Sequence, residues 1–388
     1  MHTLMISLDT TIFTGEIGDM RTRHEAYAER SGGQVSVVVC TRKKNLPPLD
    51  TPRLRARATG SGTIYTYVPD AARIGATIYA EQPFDVITSQ DPFLTGWAGL
   101  QLRRRTGKPL IVQDHTSIFS SPYFVQERAL NRILRWIGVQ VIRRADAVRV
   151  VNRRERLACI RLGVKPEKVC VVPVATNVQG FGAPLPAETL QQWREALGIT
   201  PETPVVLWVG RPVAFKNLGM LLSAFQRVAA QMPEVRLVIG GDMSGTNFVG
   251  QSMARGLAEV VKFTGAVPHP DLPALFQIAS IYALSSNYEG LPRVLVEAGA
   301  AGLPVVSTDA AGVADVIVDG LTGLIVPIND APAMSEALLS LLRDPARRKE
   351  IAARTQAHIR NHFDEDSLHH RWVEMWLRAA EGKPPCAS

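Results

Sequence analysis

Long apolar runs are missing from these 388 residues. No stretch of about 18 uncharged apolar residues occurs, which excludes a transmembrane helix. Residues 1–20 (MHTLMISLDTTIFTGEIGDM) have neither a basic start nor a long apolar segment, so no secretory signal is read there. Cysteine is scarce: Cys40, Cys159, Cys170 and Cys386 lie far apart and match no zinc or CxxC spacing. A reduced, cytoplasmic protein is the expectation. No GxGxxG opens either half, which argues against a nicotinamide dehydrogenase. An aromatic RNP-like strand, zinc-finger spacing and Lys/Arg tracts are also missing, so nucleic acid is not the expected partner.

What is present is ordinary globular composition, 46% hydrophobic and 20% charged, over a length that suits two domains. Charge is unevenly spread. Residues 1–180 hold 26 Lys and Arg against 15 Asp and Glu, and the remainder holds 17 against 21. Such asymmetry suggests that the first half faces something anionic, a membrane surface or a phosphorylated substrate.

Short β-branched runs alternate with longer helical stretches, the pattern of parallel sheets covered by helices. Strands are expected at Leu4–Leu8, Val35–Cys40, Ile64–Val68, Val86–Thr88, Leu110–Gln113, Ala147–Val151 and Val169–Val172, with helices at Asp19–Arg30, Thr95–Arg105 and Glu127–Arg143. Lys44–Pro52 and Gly60–Gly62 read as surface loops. The alternation restarts with strands at Val205–Val209, Arg236–Ile239, Val261–Thr264, Ile281–Leu284, Val305–Ser307 and Gly323–Val326, and helices at Leu218–Gln231, Asp271–Ile278, Arg293–Ala301, Ala331–Leu342 and Pro345–His362. The fold class is α/β: two doubly wound, Rossmann-like domains, 1–180 and 181–364, joined at the Gly/Pro-rich stretch 179–188. In doubly wound sheets ligands lie outside the carboxyl ends of the strands, so two such domains facing each other place the site in a central cleft. A last helix, 365–380, carries Trp372 and Trp376 on one face; it is either a terminal core helix or packs back onto the first domain.

Two strings carry chemistry. In Asn287-Tyr-Glu-Gly-Leu-Pro-Arg-Val-Leu-Val-Glu297, Glu289 sits in a turn built by Gly290 and Pro292, and Glu297 is placed near the start of the following helix, where free N–H groups favour anions. Two carboxylates flanking an amide-lined turn suit hydroxyl-rich partners. In Gly210-Arg-Pro-Val-Ala-Phe-Lys216, a strand end is followed by two cations able to neutralise a diphosphate.

With these strings in order, and Phe263-Thr-Gly265-Ala-Val267 between them, the second half resembles the nucleotide-binding domain of the retaining glycosyltransferases of family 4, of GT-B fold. The resemblance covers residues 200–330 with specific motifs and the rest more loosely. It implies sugar transfer from a nucleotide diphosphate sugar to an acceptor with retained configuration, no cofactor and no required metal. It places Arg211 and Lys216 on the donor diphosphate, Glu297 on the ribose hydroxyls, and Glu289 near the donor sugar with the backbone of Gly290, Leu291 and Pro292. Gly265 to Val267 would meet the base, and Gly210 opens the cationic loop. Gln113-Asp-His115-Thr follows a strand as the family's catalytic-face histidine does, which puts His115 beside the reacting centre. Gly15 stands in the first βα loop, where the family has paired glycines over the phosphate; here Gly15 and Gly18 are three apart. Asn177 replaces a usual carboxylate, and Asn217 a common glycine.

The expected reaction is front-face substitution, the leaving phosphate taking the acceptor's proton, with Arg211, Lys216 and helix N-termini stabilising the departing charge. The acceptor, a glycan or lipid-linked intermediate of cell-surface polysaccharide or glycolipid synthesis, is expected on the basic first half. There Arg103-Arg-Arg105 and the 127–144 segment either form a solvated basic face or a cationic amphipathic surface, peripheral on the inner face of a membrane. Asp364-Glu-Asp366 has the spacing of a metal-binding DxD but reads as helix capping. A sugar-nucleotide epimerase or hydrolase on the same fold, and a non-catalytic partner subunit, stay open as alternatives.

Overall fold

The β-branched runs of the first 171 residues assemble one sheet. Its strands are β1 (His2–Ser7), β2 (Gln34–Val39), β3 (Leu49–Asp50), β4 (Leu54–Ala58), β5 (Val86–Ser89), β6 (Leu110–Asp114), β7 (Ala147–Val150) and β8 (Val169–Val171). The computed structural model describes residues 1–14 and 20–386. Strand order is β3-β4-β2-β1-β5-β6-β7-β8, parallel except for the two-residue edge strand β3. Order reverses at β1, which pairs with β2 on one side and β5 on the other.

Both faces of this sheet are covered, so strands such as QVSVVV need not alternate apolar and polar residues. One face holds Leu4, Val38, Ile87, Leu110 and Val148. The other holds Met5, Val37, Val86 and Ile111, and helix Glu365–Ala380 supplies its cover, with Trp372 and Trp376 buried there. Burying ~150–250 Å² per aromatic ring at about 25 cal/mol/Å² gives an upper bound of roughly 4–6 kcal/mol for each tryptophan. Trp376 packs edge-on to Tyr27 at 5.5 Å, and the Arg149 guanidinium lies 4.3 Å over Trp372. The first unit is therefore Met1–Pro173 together with Asp366–Ser388, and the second is Val174–Glu365. The chain leaves the first unit at Pro173, ahead of the Gly/Pro-rich stretch at 179–188.

The second sheet contains β9 (Val205–Val209), β10 (Arg236–Gly240), β11 (Val261–Gly265), β12 (Ile281–Leu284), β13 (Val305–Thr308) and β14 (Leu324–Val326). All pairings are parallel and the order is β11-β10-β9-β12-β13-β14, so this sheet reverses at β9. Its core gathers Trp208, Leu221, Phe225, Ile239 and Leu338. Helices Ala331–Leu342 and Pro345–His362 begin on aspartate caps: Asp330 accepts from the Ala333 N–H and Asp344 from the Arg347 N–H, at 2.8 and 2.9 Å.

Several expectations need correction. Ile64–Val68 is not a strand: Ile64–Thr66 is a 3-10 turn leading into helix Tyr67–Glu81. Pro69 sits in the first turn of that helix, where its missing N–H is harmless. The strand is instead Leu54–Ala58 (LRARA), whose alternating arginines hide buried Leu54 and Ala56. The helix expected over 127–143 breaks at Arg128, which is extended, into Pro122–Glu127 and Ala129–Arg144. Cys170 and Cys386 are not free thiols. They form a disulfide with Cα atoms 5.3 Å apart, 216 positions apart in sequence, because the last helix returns the chain to β8. Cys40 and Cys159 are free and buried, the Cys40 thiol pushed up to about 12 by burial. Among the described residues no helix is long and apolar enough to cross a membrane.

Candidate active site

In the second unit the loops after β9 and β12 meet at the point where strand order reverses. Chain continuity puts Gly210 at the end of β9, and its N–H bonds to the Gly240 carbonyl at 2.9 Å. Gly241 donates to the Gly265 carbonyl at 2.9 Å, and a Cβ on Gly241 would lie 2.1 Å from the Gly210 oxygen. Only glycine permits that approach. The ends of β9, β10 and β11 are thus laced together, with Gly265 at positive φ and Val267 half-buried beyond it.

After Gly210 the loop tightens into the 3-10 turn Ala214–Lys216 and turns at Asn217, whose φ of 48° is left-handed. Asparagine tolerates this conformation, which accounts for its standing where a glycine is common. Its side chain also donates to Asn287 and Asn329, at 2.9 and 2.5 Å. Further ties bind this loop to the one after β12. Asn287 N–H reaches the Phe215 carbonyl at 2.7 Å, Ser285 Oγ reaches the Lys216 carbonyl at 2.7 Å, and Phe215 stacks on Tyr288 at 4.7 Å.

These ties bring Lys216 Nζ to 2.7 Å from Glu289 Oε1, which also accepts from Ser286 Oγ at 2.6 Å. Both charged side chains are mostly buried. The Gly290-Leu291-Pro292 turn follows, and its Gly290 carbonyl lies where a Cβ on Gly312 would come within 1.8 Å. Glu297 differs from expectation. It is the fifth residue of helix Arg293–Ala300, past the first turn, so its carboxyl is not at the free N–H groups. It is buried, and that burial holds its carboxyl above the usual range, against the opposing charges of Arg293, His269 and Lys216. Arg211 is exposed, and no hydrogen bond or ion pair joins it to the Lys216–Glu289 pair among the described residues.

In the first unit His115 begins the loop after β6. It is half-buried, and desolvation followed by the Arg149 and Arg23 charges lowers its pKa to about 3, so the ring is neutral. The loop is clamped from beneath. Asp114 accepts from Thr116 N–H at 2.9 Å, and Glu155 accepts from Phe119 and Ser120 N–H at 2.6 and 2.9 Å. Ser117 holds a left-handed φ of 58° with its Oγ bonded by Asn152 Nδ2 at 2.5 Å. Burial and the neighbouring Asp114 raise the Glu155 carboxyl well above its ordinary value. Sequence reasoning missed Asn152 and Glu155. Asn-x-x-Glu is helix-start spacing, and Asn152 does cap helix Arg153–Arg161, but Glu155 turns to the loop instead. Arg103 is tied to Asp146 at 2.6 and 2.8 Å, which removes it from any free basic face. Asp366 pairs with Arg30 at the start of its helix. Gly15 lies outside the described residues.

Solved structures share this architecture. Sucrose-phosphate synthase from Thermosynechococcus elongatus matches with a TM-score of 0.83 and 20% identity, covering 99% of this chain and 100% of that one. HepE from Anabaena, in complex with UDP and glucose, matches at 0.76 and 19%, covering 97% and 99%. The fold is GT-B, two α/β units each with a parallel sheet. Residues 190–358 match the family described as glycosyl transferases group 1, and residues 20–175 the glycosyl transferase 4-like domain. Alpha-D-kanosaminyltransferase of Streptomyces kanamyceticus is 30% identical over 283 residues, 72% of this chain and 71% of that one. A D-inositol 3-phosphate glycosyltransferase of Corynebacterium diphtheriae is 29% identical over 291 residues, 72% and 67%. The chain belongs to the glycosyl transferases group 1 family and is a glycosyltransferase.

Proposed function

We propose that this glycosyltransferase takes its sugar from a nucleotide diphosphate donor and passes it, with retained anomeric configuration and without a metal, to a glycan or lipid-linked acceptor of polysaccharide or glycolipid synthesis. The observation that carries the reading is the Lys216–Glu289 pair, held at 2.7 Å where the second sheet reverses its strand order. Such a reversal is where doubly wound sheets bind nucleotides. The structural neighbour solved with UDP and glucose agrees with a nucleotide-sugar donor.

As a nucleotide diphosphate departs, negative charge grows on its bridging oxygen. Lys216 has three N–H donors, of which Glu289 uses one, so the ammonium can keep its carboxylate and still meet a phosphate. Arg211 adds an exposed second cation, and the backbone turn Gly290–Pro292 offers groups to the sugar. Glu297 accepts ribose hydroxyls. His115, neutral down to about pH 3, serves the sugar as a hydrogen-bonding group and carries no charge to the reaction. In a front-face substitution the glycosidic C–O bond to phosphate breaks, the acceptor oxygen bonds to the same face, and its proton passes to the leaving phosphate. Thermal-shift titration with UDP-, GDP- and ADP-sugars, followed by NMR of the product anomer, tests this. Stabilisation by one nucleotide class and a retained anomer are expected; no shift with any donor, or an inverted product, overturns it.

A further inference from the structure

Helix Ala129–Arg144 buries only part of its surface. Asn131, Gly138, Val139, Val141 and Ile142 are buried, whereas Leu130, Ile133 and Trp136 are 58%, 58% and 62% exposed. At 100° per residue these three share an arc of about 120° on the outer side of the helix. Single exposed apolar side chains are normal on a protein surface. Three large ones on successive turns form a patch that calls for a partner.

The surroundings of the patch are cationic. Residues 122–144 hold Arg128, Arg132, Arg135, Arg143 and Arg144 against Glu127 alone. Three of these arginines bond to uncharged groups: Arg135 to the Phe119 carbonyl, Arg143 to the Leu162 carbonyl and Arg144 to Gln140. Those bonds orient the guanidinium groups without cancelling their charge. Arg128 and Arg132 are exposed.

A cavity of about 360 Å³ adjoins the same helix, walled by Leu8, Phe93, Leu94, Ile118 and Leu134, with His115 in its lining. Leu134 is one turn from Leu130, so apolar surface runs from the His115 cavity to the exposed patch. Asp91 and Asp114 border the cavity, but their carboxylates are bonded to the N–H groups of Phe93 and Thr116.

We propose that this helix seats the first unit on an anionic lipid surface, and that the adjoining cavity takes the apolar segment of a lipid-linked acceptor. The acceptor half of this inference rests on the proposed sugar transfer; the lipid surface does not. A tryptophan and two aliphatic side chains ringed by arginines suit the boundary between headgroups and acyl chains. Each arginine near an anionic surface adds roughly fivefold to affinity, an attraction that salt screens.

The test uses the full chain and phosphatidylcholine vesicles with and without phosphatidylglycerol, sedimented at low and high salt. Binding is expected only with phosphatidylglycerol and should weaken with salt. Ile133→Asp with Trp136→Asp should lower it at least ~10-fold, while donor binding by calorimetry is unchanged. Octyl glucoside below its micelle concentration should bind where glucose does not, and Leu134→Asp should abolish that binding. Equal binding to neutral vesicles, no vesicle binding at low salt, or a dimer in sedimentation velocity that the double variant dissociates overturns the lipid surface. Absence of octyl glucoside binding overturns the cavity assignment. Vesicle binding by a chain that takes up no sugar nucleotide would fail the donor reading and leave the surface standing.

Discussion

Replacing Lys216 by methionine leaves the Glu289 carboxylate with its Ser286 bond but without its cation. Side-chain exposures of 15% for Lys216 and 10% for Glu289 mean that solvent screens the pair poorly. At 2.7 Å and an effective dielectric near 20, the gross attraction is about 6 kcal/mol. Much of that offsets the cost of taking both ions out of water, yet stranding one buried ion costs about 3–5 kcal/mol. Lys216→Met should therefore destabilise the second unit by about that much. Lys216→Met with Glu289→Gln should recover part of the loss, with a coupling energy of about 1–3 kcal/mol from urea unfolding of the four proteins. In the transfer reaction the same lysine meets charge that develops only as the phosphate leaves. Its loss should lower kcat by roughly 10²–10³ while donor Kd changes little. Strictly additive single variants would remove the pairing argument, and unaltered kcat in a folded Lys216→Met protein would remove the cationic-stabilisation argument.

Glu155 has a raised pKa in the folded chain, so its contribution is complete below the ordinary value of 4.5 and is lost as pH rises through the raised one. His115, lowered from 6.5 to about 3, acts in the opposite sense: its contribution is complete above 6.5 and is lost as pH falls toward 3. Glu155→Gln should flatten the fall in urea midpoint as pH rises above 4.5; a profile parallel to the wild type refutes the raised Glu155 carboxyl. Cys386→Ser, or reduction, should destabilise the first unit, by at most about 5 kcal/mol for a loop of 216 residues on chain-entropy grounds; identical melting with and without reductant would contradict this. Gly312→Ala should weaken donor binding at least ~10-fold in calorimetry, because its methyl group would displace the Gly290 carbonyl; an unchanged Kd would show that the Gly290 turn does not shape the donor pocket.

Where one physical signal dominated, the sequence was legible. Apolar runs bounded by turns predict β9, β12 and helices Leu218–Gln231 and Ala331–Leu342 to the residue. Leu54–Ala58 escaped because arginine on the outward positions masks a buried alternate set, and Tyr67–Glu81 because it opens with β-branched and aromatic residues. Motif spacing picked out Lys216, Glu289 and Glu297, but it could not show that Lys216 and Glu289 pair directly or that Glu297 is buried mid-helix. Those facts depend on two loops tied by Asn287, Ser285 and Asn217, contacts made across some seventy residues. Glu155 was hidden for a related reason: the same spacing that starts a helix serves here to clamp the His115 loop. The Cys170–Cys386 bond has no local signature at all.

That bond has a topological result. The passages from the first unit into the second and back again, at 173–174 and 365–366, both fall inside the circle closed by Cys170 and Cys386. Residues 174–365 are thus a covalent insertion in a ring, not a free second half of the chain. A protease cutting once anywhere on that circle opens it without liberating a fragment, and the two pieces travel together on a gel until the sulfurs are reduced.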